Sequence, residues 1–345
     1  MTAPKDIKTI VTKILAHQGI ERYGFAHFTT SKTINHYKTW LQLGFNGEMK
    51  YLGEHLEAKE NPSTYYDHAV SAIVIAKEYS PHPWANPTRY DSLRIAKYAQ
   101  GNDYHGEIKK ILNKVAGDLK EVFPQDSFWP SIDSGPVLER DLAFEAGLGW
   151  VGKNTCLIDK KLGSYFFIGE ILTSLKLDPF KEKSKNHCGT CTRCIDACPT
   201  RALVAPNVLD ARLCLSYLNI EAPGIPDENL RPLVGDWFFG CDICQDVCPW
   251  NDKKNKENEG SVLLGNREEK IKAIEYLLTQ THRQIERDIK NSPLARAGAR
   301  GLKRNALMVI ANLKIYELRP NVESLVSHEF FGELAKWTLS QLQSH

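Results

Sequence analysis

The first half of the chain alternates between segments with helical and with strand-like spacing of hydrophobic residues. Residues 5–18 carry apolar side chains every three or four positions and end at Gly19, which predicts an amphipathic helix. Residues 107–123 show the same spacing and predict a second helix. Short apolar runs predict strands at residues 72–76, 131–133 and 164–172. Helix and strand therefore alternate up to residue 180, which predicts an α/β domain.

Two polar segments divide the rest of the chain. Residues 181–187 predict a domain boundary, and residues 251–260 predict a linker. Helical spacing then returns in two pairs of segments, near 268–288 and 302–342, which suit a HEAT-like repeat module. We therefore expect an α+β multidomain protein with domains at 1–180, 181–255 and 260–345.

Composition and charge place few limits on function. Hydrophobic residues make up 42% and charged residues 25%, as in folded soluble proteins, and the net charge is only +2. The sequence has no run of about 20 apolar residues, and its first residues resemble neither a secretory nor a twin-arginine signal. We expect a cytoplasmic protein that does not enter the membrane, with a monomer as the default state.

Eight of the nine cysteines lie between Cys188 and Cys248, and this crowding indicates metal binding rather than disulfides. The first group has the spacing of bacterial ferredoxins, in which the fourth cysteine binds the other of two [4Fe–4S] clusters. It reads Cys188-x2-Cys191-x2-Cys194-x3-Cys198-Pro199, and the second group reads Cys241-x2-Cys244-x3-Cys248-Pro249, with Cys214 upstream. The crossing rule assigns Cys188, Cys191, Cys194 and Cys248 to cluster one, and Cys198, Cys214, Cys241 and Cys244 to cluster two.

Structural zinc is the alternative, because zinc sites also use pairs of cysteines two residues apart. Both groups here continue to a third cysteine and end in Cys-Pro, which favours iron–sulfur clusters. The remaining cysteine, Cys156, is expected to be a small buried residue rather than a ligand. Two clusters transfer electrons, so the rest of the chain is expected to bind what receives them.

Several segments together carry a resemblance to one enzyme family. They are residues 98–105 (YAQGNDYH), 133–140 (DSGPVLER), 146–154 (AGLGWVGKN), the two cysteine groups and 292–312 (SPLARAGARGLKRNALMVIAN). Together they resemble epoxyqueuosine reductase, the family that catalyses the last step in making queuosine at the wobble position of certain tRNAs. The resemblance spans nearly the whole chain, in order.

The resemblance implies base-off cobalamin in a nitroreductase-like α/β domain, beside a ferredoxin-like domain with two [4Fe–4S] clusters. It also implies a reduced ferredoxin or flavodoxin as electron donor. The Asp-x-His-x-x-Gly signature of some cobalamin proteins begins at Asp103 and His105, but Ile108 stands where its glycine should be. Ligation of cobalt by this histidine is therefore not supported.

Asp133 matches the proton donor of the family. A carboxyl group donates a proton near neutral pH only if burial raises its pKa, so we expect Asp133 to be buried. The alternative is a turn residue, because Asp-Ser-Gly-Pro is also typical of turns. The glycine-rich segment before Asn154 would let the backbone approach a cofactor. The candidate cofactor contacts are Asp133, Asn154, Leu157, Ile168, Ser216, Cys241 and Asp242, with Tyr104 and His105 as further pocket residues.

Binding of tRNA has separate support in a basic segment. Residues 289–316 contain six basic residues and no acidic one. Arg296, Arg300, Lys303 and Arg304 are spaced so that one helical face would carry all four. Such a face suits the phosphate backbone of the anticodon stem-loop, although a solvated helix is the simpler explanation.

Two other functions remain open from the sequence. One is a soluble corrinoid reductase of the dehalogenase type, which acts on a small molecule and needs no tRNA. The other is an electron carrier, which would contain iron and sulfide without cobalamin.

Overall fold

We describe residues 4–79, 89–133, 135–179, 183–257 and 265–343 of a computed structural model of the protein. The α-helices are α1 (Pro4–His17), α2 (Ile34–Gln42), α3 (Tyr51–Glu54), α4 (Leu56–Glu60), α5 (Tyr104–Val122), α6 (Glu139–Glu145), α7 (Arg193–Asp196), α8 (Leu215–Ile220), α9 (Ile243–Asp246), α10 (Asp252–Glu257), α11 (Arg267–Thr279), α12 (His282–Ile289), α13 (Gly298–Asn312), α14 (Arg319–Glu323) and α15 (Gly332–Gln341). The β-strands are β1 (Tyr23–His27), β2 (Ser71–Glu78), β3 (Arg94–Ile95), β4 (Phe128–Ser131), β5 (Trp150–Val151), β6 (Leu157–Ile158), β7 (Phe166–Thr173), β8 (Leu203–Ala205), β9 (Val208–Leu209) and β10 (Trp237–Phe239).

A four-stranded sheet in the order β1-β2-β7-β4 organises the N-terminal half. β2 and β7 are its long central strands, and they pair antiparallel from Ser71 opposite Thr173 to Glu78 opposite Phe166. β1 and β4 also pair antiparallel at the two edges. The mixed helix and strand composition predicted for this half is confirmed. The strand directions were not predicted, because apolar runs show that a strand is buried but not its direction.

Helices cover both faces of this sheet and bury them. α1 and α5 pack on one face, with Leu15 and Leu112 in a common core. α6 packs on the other face, where Leu142 joins Val74 of β2. The two helices predicted in this half correspond to α1 and α5, and Gly19 follows α1 with a φ of 68°. The predicted strands correspond to β2, β4 and β7.

Another core joins the cysteine-rich segment to the C-terminal helices. It contains Ile95 of β3, Phe238 of β10, Ile274 of α11 and Leu307 of α13. The loop between two cysteines, residues 215–240, therefore packs in the same core as residues 267–341. This core continues across the predicted division near residue 255. The predicted linker begins with helix α10, and its residues 258–260 lie outside the described part of the chain.

α13 is the central helix of the C-terminal region. It contacts α11, α12 and α15, and its residues 302–311 are all buried. Within the described ranges, no helix combines the length and the apolar content that crossing a bilayer requires.

Candidate active site and cluster sites

Asp133 lies just beyond the end of β4, where it meets two side chains from the start of α5. The Tyr104 hydroxyl donates a hydrogen bond to Asp133 Oδ2, and His105 Nε2 lies 2.9 Å from Asp133 Oδ1. The other imidazole nitrogen of His105 lies 2.6 Å from Oδ1 of Asp103, the residue that caps α5. The Tyr104 ring stacks on Phe167 with 4.1 Å between the ring centroids. These contacts form a chain of acid and imidazole groups that ends on Asp133.

The Asp133 side chain is 37% exposed, so the predicted burial of this carboxyl group is wrong. The local fold instead buries two carboxyl groups that the sequence analysis did not select. Glu170 is fully buried in β7 opposite Ser131, and Glu139 begins α6 with its Oε1 buried. Burial raises the pKa of Glu139 to about 8 and that of Glu170 well above its ordinary value. A glutamate inside the apolar run FFIGEILT was the available signal for Glu170.

The first set of cysteines lines one cavity. Cys188, Cys191 and Cys194 surround it together with Cys248, although Cys248 comes from the second sequence group. The cavity has a volume of about 370 Å³, and Trp250 closes one side of it. Across the described ranges, no three His, Cys, Asp or Glu side chains converge closely enough to hold one metal ion. The four thiols are instead spread around a space that suits a larger group.

The second set of cysteines forms a separate neighbourhood. The Cys241 thiol interacts electrostatically with Cys214 and Cys198, and the Cys244 thiol interacts with Cys214 and Cys241. Burial raises the pKa of Cys241 to about 12. Such a thiol loses its proton when a metal binds, so cluster assembly here would release protons.

Cys156 lies beside this second set, which the sequence did not indicate. Its thiol forms a hydrogen bond with Cys244, and this bond lowers the pKa of Cys156. The backbone at Thr155 holds it there in a left-handed conformation, with a φ of 67°. Cys156 is therefore a ninth thiol in the cysteine region rather than a residue of an apolar core.

Asn154 connects the two cysteine sets. It lines the first cavity, while its side-chain amide donates to the Cys244 carbonyl at 3.2 Å. The glycine-rich turn before it packs on the protein itself, because a Cβ at Gly149 would lie 2.2 Å from the Ile158 carbonyl oxygen. Lys153 donates to the carbonyls of two residues in the first cysteine group. The turn therefore holds the cysteine segment, and Gly149 is needed for close packing on Ile158. An approach of this backbone to a cofactor stays a prediction.

The other candidate cofactor contacts differ in accessibility. Leu157 and Asp242 are buried, and Asp242 accepts a hydrogen bond from the Lys97 backbone at 2.7 Å. Burial raises the pKa of Asp242 to about 6. Ile168 and Ser216 are half-buried and can be reached from outside.

Tyr98 lies between Asp133 and the second cysteine set. Its ring is half-buried, and its hydroxyl interacts electrostatically with both Asp242 and Asp133. Burial and these two carboxyl groups raise the pKa of Tyr98. The Tyr98 ring also lies edge-on to Tyr104, with 6.3 Å between the centroids, and a Cβ at Gly240, next to Cys241, would lie 3.5 Å from it. Tyr98 is therefore near both the Asp133 group and the start of the second cysteine group.

The predicted basic helical face does not form as one surface. Lys303 and Arg304 are 8% and 1% exposed, so the prediction that they contact tRNA is wrong. Lys303 donates to the Leu278 and Gln280 carbonyls. Arg304 donates to the carbonyls of Ala222 and Gly224, and it thereby ties α13 to the cysteine loop.

The remaining two basic residues are exposed but lie on different elements. Arg296 precedes α13 in a short 3-10 helix and pairs with Glu221 at 2.8 Å. Arg300 lies on α13, with its guanidinium 4.8 Å from the centre of the Phe330 ring. The spacing of the basic residues does not show that α13 begins only at Gly298, after Arg296.

Two family models match parts of the chain. The model "4Fe-4S double cluster binding domain" matches residues 187–251, and "Epoxyqueuosine reductase QueG, DUF1730" matches residues 59–134. The epoxyqueuosine reductase of Xanthomonas campestris pv. campestris is 34% identical over 98% of this chain and 97% of its own length. The chain belongs to the epoxyqueuosine reductase family. The epoxyqueuosine reductase of Cyclobacterium marinum is 36% identical over 86% of this chain and 94% of its own length.

Solved structures of epoxyqueuosine reductases share the fold. The Bacillus subtilis enzyme superposes with a TM-score of 0.84 at 24% identity, over 99% of this chain and 91% of that one. The Streptococcus thermophilus enzyme superposes with a TM-score of 0.80 at 24% identity, over 98% of this chain and 90% of that one. One epoxyqueuosine reductase structure contains a tRNA-Tyr epoxyqueuosine-modified stem loop, and its TM-score is 0.84 at 24% identity and 99% coverage of this chain.

Proposed function

We propose that this protein reduces epoxyqueuosine to queuosine at the wobble position of tRNA. Its family membership extends along 98% of the chain, so it applies to the Asp133 region and to the cysteine region alike. The observation that carries the proposal is the Asp103–His105–Asp133 chain, which adjoins the second cysteine set across Tyr98. The groups proposed to supply protons and the cysteines proposed to supply electrons thus both lie near Tyr98.

We assign the electron supply to two [4Fe–4S] clusters in the double-cluster domain. The cavity with four thiols would hold cluster one through Cys188, Cys191, Cys194 and Cys248. The neighbouring set would hold cluster two through Cys198, Cys214, Cys241 and Cys244. A reduced ferredoxin or flavodoxin is the class of donor whose electrons such clusters accept.

The open side of Tyr98 is where we place cobalamin. Asp133 is exposed and Ile168 and Ser216 are half-buried, so these three could contact a bulky cofactor, whereas Asp242 is buried and would support the site from inside. Asn154 and Leu157 would support the site from inside the protein rather than by contact. When bound, cobalamin would supply a strongly reducing cobalt centre for opening the epoxide.

The chain's own residues supply the protons. Conversion of an epoxide into an alkene consumes two electrons and two protons and releases one water. Asp133 is exposed in the free protein, so it would deliver each proton to the departing oxygen as a general acid only once the bound substrate covers its carboxyl group. Tyr104 fixes the orientation of the Asp133 carboxyl group, and Asp103 holds His105 with Nε2 directed at it. His105 can then return a proton to Asp133 from solvent, because its side chain is 43% exposed.

For tRNA, we propose a surface of exposed cations on α12 and α13. Arg300 lies near His282 and His328, and Arg283, Arg287 and Lys290 are also exposed. Such cations bind phosphates without reading the bases. An anticodon loop is single-stranded enough to present one unstacked base to the Asp133 region. A tRNA substrate also implies a cytoplasmic reaction.

The test is anaerobic purification followed by metal analysis and an assay on tRNA that carries epoxyqueuosine. We expect iron, sulfide and cobalt in the protein after incubation with cobalamin, and formation of queuosine. Asp133→Asn should lower this rate by about 10²-fold or more, as loss of a general acid does, with unchanged metal content. Tyr104→Phe should lower it less, because Asp133 keeps its acid group.

Three results would contradict the proposal. A colourless protein that contains zinc would remove the clusters. Iron and sulfide without any binding of cobalamin would indicate an electron carrier. Dehalogenation of a small organohalide, without activity on modified tRNA, would indicate a corrinoid reductase with another substrate.

A further inference from the structure

Two buried carboxyl groups lie next to Asp133 and have no part in the scheme above. Glu170 is 0% exposed in the middle of β7, and neither of its carboxyl oxygens has a hydrogen-bond partner among the described residues. Glu139 is the first residue of α6, and its Oε1 is also buried without a partner there. Both residues interact electrostatically with Asp133.

The backbone explains why the three carboxyl groups are close. β4 pairs with β7 so that Ser131 lies opposite Glu170, and Asp133 follows Ser131 by two residues. The chain then turns at Gly135, where a side chain would collide with the Ser131 hydroxyl at 2.4 Å. After this turn α6 begins at Glu139 and covers the same face of the sheet that carries Glu170.

Few positive charges offset this group. Lys59 and Arg140 interact with Glu139 and favour its charged form, but they do so less strongly than burial and Asp133 oppose it. Among the described residues, Glu170 interacts with the carboxyl groups of Glu139 and Asp133 and with the Tyr66 hydroxyl, and it lies opposite Ser131. His105 is the basic group that contacts Asp133. A charged Glu170 would be a buried anion without a hydrogen-bond partner among the described residues, so burial favours its neutral acid form.

We propose that Glu139 and Glu170 hold a reserve proton that Asp133 relays to the departing oxygen in the second of its two proton deliveries. The inference deepens the proposed function and rests on it. The reaction needs two protons, and one carboxyl group carries one. After the first delivery Asp133 is an anion. The second proton then passes from the buried pair through Asp133 to the departing oxygen, which is a much stronger base than any of the three carboxylates. The pair then regains its proton from solvent after the product leaves.

An internal source matters because the other route faces the substrate side. Asp133, His105 and Asp103 are all between 37% and 44% exposed, and they lie where the wobble base must arrive. A bound anticodon loop would cover these side chains and would slow the return of protons from solvent. Glu170 lies behind Asp133 in the sheet and keeps its proton when tRNA binds.

The first part of the test asks whether the acid is neutral. Infrared spectra of the holoenzyme at pH 7 should show the carbonyl stretch of a protonated carboxylic acid. The band should weaken in Glu170→Gln, where Glu139 still contributes, and should be unchanged in Glu145→Gln. Glu145 is a matched control, because it lies on the same helix α6 but pairs with Lys32 and Lys183. Absence of the band in the wild-type protein would overturn the inference.

The second experiment tests whether the proton held by Glu139 and Glu170 takes part in the reaction. We expect Glu170→Gln to lower the single-turnover rate of queuosine formation about tenfold at pH 8.5 and much less at pH 6, where protons from solvent are abundant. Binding of tRNA and the content of iron and cobalt should not change. A purely structural role would lower the rate equally at both pH values. Glu139→Gln, at a more exposed site, gives the same test if the Glu170 variant folds poorly.

The outcomes separate this inference from the function itself. Wild-type pH–rate profiles in both variants, with a normal wild-type rate, would overturn the inference alone. A wild-type enzyme that leaves epoxyqueuosine unreduced would overturn the proposed function and the inference with it.

Discussion

At the scale of single residues, the buried Glu170 makes the free energy of unfolding depend on pH. Burial raises the pKa of Glu170, so the folded protein keeps a proton that the unfolded chain loses once the pH exceeds the ordinary value of 4.5. In that range the unfolded state binds fewer protons than the folded state. The free energy of unfolding therefore falls as the pH rises.

This sign gives a prediction for Glu170→Gln. The amide cannot ionise, so the variant avoids the penalty that the wild-type protein meets above pH 4.5. We expect the variant to gain stability relative to the wild type between pH 4.5 and pH 8.5, by about 1.4 kcal/mol for each pKa unit of the shift. Urea unfolding of the two proteins at both pH values measures the difference. A constant difference would show that Glu170 is already charged in the folded state.

One sequence predicts the cysteines that come together, but it does not predict which charged residues are buried. The spacing of the cysteines identified thiols that the fold does bring together in two sets, because metal ligation imposes spacing directly on the chain. Burial is different, since it depends on which distant segments meet. Asp133 was expected to be buried and is exposed, whereas Glu170 is a buried carboxyl group that was not predicted. Nothing in the local sequence of Lys303 shows that α11 and α12 would cover it.

At the scale of elements, α13 combines a structural and a surface role on neighbouring turns. Arg304 points into the protein and donates to two carbonyls of the cysteine loop, whereas Arg300 is exposed. A basic residue that satisfies buried carbonyls contributes to folding, and an exposed one is free to contact phosphate.

We expect substitution of Arg300 to weaken tRNA binding and substitution of Arg304 to lower stability. Arg300→Glu should weaken tRNA binding several-fold and reduce the salt slope by about one phosphate contact, with an unchanged melting temperature. Arg304→Met should cost about 2 kcal/mol of stability, because it leaves buried carbonyls without donors. Filter binding at several salt concentrations and thermal unfolding measure these effects. Wild-type affinity with an unchanged salt slope in Arg300→Glu would show that Arg300 makes no contact with tRNA.

The crossed cysteine sets also belong to the scale of elements, because each cluster would bind cysteines from both sequence groups. Pairs of substitutions test the crossing. Cys188→Ser with Cys248→Ser should leave about four irons per chain, because both ligands belong to cluster one. Cys198→Ser with Cys248→Ser should leave almost none, because it removes a ligand from each cluster.

Cys156→Ser is the matched control for these variants. It should keep all of the iron and shift only the reduction potential of cluster two, since a hydroxyl replaces the thiol that is hydrogen-bonded to Cys244. Iron counts that follow the sequence groups instead of the crossed sets would refute the ligand assignment.

At the scale of the whole molecule, the cysteine region and the C-terminal helices share one core. Phe238 and Phe239 between two cysteines are 0% exposed and pack with Leu307 of α13. Asn305 of α13 donates hydrogen bonds to the Asn219 and Phe238 carbonyls at 2.6 and 3.0 Å. The predicted boundaries were drawn at polar segments, which mark changes in composition, whereas the core follows contacts between distant segments.

This shared core predicts that iron and the C-terminal helices stabilise each other. Cluster two would hold both ends of residues 215–240 through Cys214 and Cys241, so removing iron frees a segment on which α13 packs. We expect an anaerobic chelator to increase hydrogen exchange in residues 302–311 as well as near the cysteines, while β2 and β7 keep their protection. Mass spectrometry after exchange measures each segment. If α13 kept full protection in the iron-free protein, the C-terminal helices would be an independent domain, with the boundary near residue 260 that the sequence pattern predicted.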